Sequence, residues 1–142
     1  MTPQEKRNQK LAERMIKNLE RRHIKGFYCP TGQEAVKKIS ELIADGSSVT
    51  WGGTMTIRDL GIPEALKSRG TLEVLDRDLV ETPEEKQAMY VRAFTTDVYL
   101  TSANGVCHNC NSPESICNYV HFLRNSPKER HLVVLVGENL GY

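Results

Sequence analysis

Helix and strand signals alternate strictly along this chain as far as Asn104, and that alternation constrains the fold more than any single residue does. Leu11, Met15, Ile16 and Leu19 recur at helical spacing among charged residues, which predicts an amphipathic helix over 3–22. "IKGFYC" (Ile24 to Cys29) reads as a short strand, with Cys29 an ordinary small buried residue. Thr31 and Glu34 stand at capping-box spacing, and Ala35, Val36, Ile39, Leu42 and Ile43 form one apolar face that stops at Gly46. "SSVTWGG" (Ser47 to Gly53) is a strand entering a glycine turn. Thr56 with Asp59 predicts the next helix start, and Pro63 interrupts that helix or begins a second one. "TLEVLD" (Thr71 to Asp76) alternates as a strand does, Thr82-Pro83-Glu84-Glu85 opens a helix running to Phe94, and "DVYLTSA" (Asp97 to Ala103) is again a strand.

Strands separated by helices pair in parallel, because each crossover returns the chain to the same end of the sheet. The fold class is therefore α/β, a mostly parallel sheet with flanking helices. The pattern changes past the cysteines. "NYVHFLR" (Asn118 to Arg124) and "HLVVLVG" (His131 to Gly137) are both strand-like, and the "NSPKE" turn between them predicts a C-terminal antiparallel strand pair. The expected organisation is an α/β domain over 1–104 and a cysteine-containing segment over 105–142 packed on it. The strand ending at Thr101 needs a neighbour on each side. If one side is open, a second copy of the chain or the strand from His131 to Gly137 is expected to cover it.

With 142 residues the chain suits one domain and can build a core without disulfides. A formal net charge of +1 argues against nucleic acid or an anionic membrane as partner, and the basic run from Lys17 to Lys25 reads as a solvated helix face. The first residues are polar, and no apolar run approaches the ~20 residues of a membrane helix. A cytoplasmic location is therefore expected, where clustered cysteines serve as metal ligands or redox thiols more often than as disulfides.

Two stretches carry candidate chemistry. Gly52 and Gly53 offer backbone amides at a turn before a helix start, with the hydroxyls of Thr54 and Thr56 close in sequence. Ser102 and Asn104 end a neighbouring strand, and ligands of open α/β sheets bind at strand carboxyl ends. Together these residues predict a site for a small anionic ligand. The glycine turn matches no nucleotide-binding fingerprint, and a tight turn alone would also use two glycines. Cys107, Cys110 and Cys117 have the Cys-x2-Cys spacing that lets two sulfurs bind one ion, so zinc or an iron–sulfur group is the candidate cofactor. His121 or His108 would be the fourth ligand. Asp59, Asp76 and Asp78 are scattered, and no catalytic constellation can be assigned.

"GSSVTWGGTMTIRDLGIPEALKSRG", with its lead-in "AVKKISELIADGSSV" and the later "TDVYLTSAN", resembles the lactate-utilisation (LUD) domain family over about the first 104 residues. "CHNCNSPESICN" and "VGENLGY" resemble the cysteine segment and C-terminus of its anaerobe-type branch. The resemblance implies a NagB/RpiA/CoA-transferase-like fold, a role in oxidising lactate to pyruvate, and iron–sulfur partner subunits. The chain departs from the family after Asn104. An acidic-glycine hairpin, a helix and a further parallel strand are missing there, and threonine stands at 101 where the family's upstream cysteine falls. The fold is therefore expected to be incomplete, as if an internal block were deleted. A second reading is a non-catalytic metal-binding or interaction module built on the cysteine segment.

Overall fold

The computed structural model describes residues 1–102 and 130–137. They divide into two compact units, one of Met1–Ala35 with the described residues 130–137, and one of Val36–Ser102.

In the first unit, α1 (Pro3–Glu20) opens with a complete capping box: the Thr2 hydroxyl accepts from the Glu5 N–H, and the Glu5 carboxylate accepts from the Thr2 N–H. Its buried Ala12 and Met15 pack with Leu135 of β5 (His131–Val136). β1 (Ile24–Cys29) pairs with β5 in parallel, from Ile24 opposite His131 to Cys29 opposite Val136. β5 thus has a parallel partner far away in sequence. The other member of the expected antiparallel pair, 118–124, lies outside the described residues. Gly26 permits the close approach of α1, since a Cβ there would stand 3.0 Å from Ile16 Cγ1. Cys29 is buried, as its sequence context predicts.

The second unit holds a parallel sheet of order β3-β2-β4: β2 (Ser48–Trp51) is central, between β3 (Glu73–Val74) and β4 (Val98–Leu100). All four β2 residues are buried, as a strand covered on both faces requires. Val49 and Trp51 join Ile43, Ile57, Ile62 and Leu66 in the core. On the other face the Thr50 hydroxyl donates to the Leu75 carbonyl at 2.9 Å.

Helices occupy the predicted places. The Thr31–Glu34 box precedes α2 (Gly32–Leu42), and Arg69 donates to the carbonyls of Ser40 and Ile43 near that helix's end. Between β2 and β3 the chain forms α3 (Met55–Asp59) and α4 (Ile62–Ser68). Gly61 turns between them at φ 72°, so Pro63 belongs to the start of a second helix rather than to a break in one. α5 (Pro83–Ala93) has the full Thr82–Glu85 capping box but buries no residue, and Phe94 just beyond it is 91% exposed. β4 is hydrogen-bonded to β2 alone among the described residues. The strand expected as one of its covers, β5, pairs with β1 instead.

No helix among the described residues is long and apolar enough to cross a membrane.

Candidate functional site

The registers Thr50–Tyr99 and Trp51–Leu100 bring the carboxyl ends of β2 and β4 side by side. The Gly52 N–H continues that ladder by donating to the Leu100 carbonyl at 2.9 Å, and the Thr54 N–H folds back onto the Gly52 carbonyl at 2.9 Å. The turn therefore carries Thr54 over the end of β4, where its Oγ1 lies 2.5 Å from Ser102 Oγ.

Thr54 occupies the N-cap position of α3 yet makes no side-chain bond to that helix. Threonine at an N-cap ordinarily accepts from the N–H two or three residues on; here its oxygen is paired with the neighbouring strand. The helix begins two residues before the start predicted at Thr56. Thr56 is an exposed residue inside α3, and no described side-chain bond joins it to the Thr54–Ser102 pair. Since α3 has only five residues, its dipole adds little at the turn.

The two glycines face different neighbours. A Cβ on Gly52 would stand 2.9 Å from the Tyr99 hydroxyl and 3.7 Å from Thr101 Oγ1; one on Gly53 would stand 3.4 Å from Arg77 Nη1. Arg77 opens a 3-10 turn, Arg77–Leu79, that follows β3. Carboxylates on either side of it fasten this turn: Asp76 pairs with Lys67, and Asp78 pairs with Arg58 at 2.5 Å and accepts the Trp51 indole N–H at 3.2 Å. The Asp76 carboxylate raises the Lys67 pKa, chiefly through their hydrogen bond.

The structure thus gathers Gly52, Gly53, Thr54 and Ser102, and no described side-chain bond joins Thr56 to them. Asn104, Cys107, Cys110 and Cys117 lie outside the described residues. Among the described residues no group of His, Cys, Asp or Glu side chains is arranged to hold a metal. The sequence did not point to Tyr99 or Arg77, which also border the turn, and it left Asp78 unassigned; the "DRD" run at Asp76–Asp78, charges of both signs directly after a strand, is the signal that could have flagged two of the three.

A family model described as LUD domain matches residues 12–109. The chain belongs to the LUD domain family. The LUD match contains the glycine turn and the whole of β4, and it reaches Cys107 but neither Cys110 nor Cys117. No curated protein and no solved structure matches the chain. The α/β architecture with parallel strands and flanking helices agrees with LUD membership.

Proposed function

We propose that this LUD domain binds a small carboxylate of the lactate and pyruvate class at the carboxyl ends of β2 and β4, as its part in lactate utilisation. The observation that carries the reading is the pairing of Thr54 with Ser102. When one of two hydroxyls donates to the other, the acceptor still has its own hydrogen, aimed away from the pair and available to a ligand oxygen. Gly52 lets the Tyr99 hydroxyl come close to the turn, and Arg77 supplies positive charge beside Gly53.

Oxidation of lactate to pyruvate removes two electrons and two protons. The electrons would pass to the iron–sulfur partner subunits that the family resemblance implies, and the protons to solvent. We also read the chain as a LUD domain lacking an internal block after Asn104. That reading is supported by α5, which buries nothing, and by β4, with one strand neighbour among the described residues. Such a block would cover this surface in a longer member.

The test is a thermal-shift panel of lactate, pyruvate, other small carboxylates and inorganic phosphate. A carboxylate should raise the melting temperature, and Gly53→Val should remove the gain, because valine's methyls would extend beyond a Cβ already in contact with the Arg77 guanidinium. Silence across the panel would reject the reading and favour the non-catalytic module built on the cysteine segment.

A further inference from the structure

We propose that Arg77 is the residue that pairs with the ligand's charge: its guanidinium, beside Gly53 and without a carboxylate partner among the described residues, takes two oxygens of a carboxylate or phosphate group. The inference rests on the reading of the turn between β2 and α3 as a small-anion site and names the group that recognises the anion.

Arg77 stands in the run Asp76-Arg77-Asp78. A cation between two acids would ordinarily be expected to pair locally, but both carboxylates are committed elsewhere. Asp76 pairs with Lys67 and accepts the Asp78 N–H at 2.9 Å. Asp78 pairs with Arg58 and with the Trp51 indole. These bonds fix the backbone on both sides of Arg77 and leave its side chain out of the network. Among the described residues Arg77 has no ion pair and no hydrogen bond. Its one polar contact is with the ring of Tyr90, whose centroid lies 5.8 Å from the guanidinium carbon. That contact aims the group without using any of its five N–H donors.

Arg77 as a residue is also only partly exposed, and its guanidinium sits beside Gly53. Nη1 is 3.4 Å from the point a Cβ on Gly53 would occupy, so the guanidinium lies directly against the glycine turn. A planar fork with unspent donors beside the turn suits an anion presenting two oxygens, which a carboxylate and a phosphate both do. Arg58, one helix away in the same unit, shows the contrast. It is already held by Asp78 and has little to offer a ligand.

The experiment is calorimetric titration of the full chain with lactate, lactamide, pyruvate and inorganic phosphate, in the wild type and in Arg77→Met. The wild type should bind at least one anion and ignore the uncharged lactamide. Arg77→Met should weaken that anion by about tenfold or more, the usual weight of a charge-assisted bidentate contact. The carboxylate and phosphate arms decide which group the fork takes. A wild type that binds no anion rejects the small-anion reading itself, whereas anion binding unchanged in Arg77→Met rejects the assignment of Arg77 alone. If Arg77→Met does not fold, the wild type decides: the bound anion should protect Arg77 from phenylglyoxal, read by peptide mass spectrometry, and leave Arg58 as it was. Equal modification of Arg77 with and without the anion would overturn the proposal.

Discussion

Asp97 and Ser48 hold one another through three hydrogen bonds at the amino ends of β4 and β2. The Ser48 N–H and hydroxyl donate to one Asp97 carboxylate oxygen at 2.8 and 2.9 Å, and the Asp97 N–H donates to Ser48 Oγ at 2.9 Å. Thr54 and Ser102 meet at the opposite ends of the same strands. Strands of four and three residues have few ladder bonds with which to fix a register. A clasp at each end stops the slip that would exchange the faces of both strands and move Ser102 away from Thr54.

Asp97→Ala should lower the melting temperature at neutral pH. The Ser48 N–H, then its hydroxyl, hold the Asp97 carboxyl below its ordinary 3.8, with Arg92 adding a smaller pull. A carboxyl lowered by folding contributes stability above its unfolded value, and that contribution fades as pH falls through the lowered one. The difference between wild type and Asp97→Ala should therefore be constant from pH 7 to 5 and shrink below 3.8. Asp45, lowered by Thr71 and Arg69, titrates alike in both proteins and cancels. Circular dichroism melts at pH 7, 5 and 3 check this; a difference that persists unchanged at pH 3 assigns the effect to something other than the carboxylate.

Thr54→Val keeps the shape of the side chain and removes its hydroxyl. Anion binding should weaken by about two- to tenfold, the range of a neutral hydrogen bond. Ser102→Ala should do the same, and the double variant should be little worse than either single one, because the two hydroxyls act as one unit. Fully additive losses in a calorimetric cycle would show that each hydroxyl contacts the ligand independently.

Cys107, Cys110 and Cys117 supply three thiolates, while a closed tetrahedral site needs four ligands. The chain purified without oxygen is expected to carry substoichiometric zinc or iron, falling further in Cys110→Ser. Elemental analysis checks this, and a full equivalent of metal that survives the substitution would place the metal elsewhere.

The elements were legible in the sequence because their signals are local. Thr31 with Glu34 and Thr82 with Glu85 form the boxes their spacing promises, and Pro63 starts a helix. The alternation also revealed the parallel pairing. It did not show that the strands form two sheets, nor that β5 joins β1, a pairing that spans more than a hundred residues and leaves no local trace. At the candidate site, the sequence pointed to Thr54 and Ser102 because glycines and a strand end flag them. It did not point to Arg77, whose neighbours spend their carboxylates on Lys67 and Arg58, and spacing does not encode that.

Trp51 is the only tryptophan, 1% exposed, and its indole N–H ends on Asp78. Asp78→Ala removes that acceptor and the pair with Arg58 together. An unpartnered buried donor costs about 1–3 kcal/mol, whereas a half-exposed ion pair is worth roughly 0–1 kcal/mol. The indole should therefore dominate. Asp78→Ala should lower the urea midpoint followed by tryptophan emission and shift the folded-state emission, while Arg58→Ala should leave both nearly unchanged. Because Asp78 also fastens the turn that aims Arg77, anion binding should fall in Asp78→Ala even in buffer where the variant is fully folded. If Arg58→Ala proves as destabilising as Asp78→Ala, the ion pair rather than the indole holds the turn. If Asp78→Ala binds the anion as well as wild type, the aim of Arg77 does not depend on that anchor.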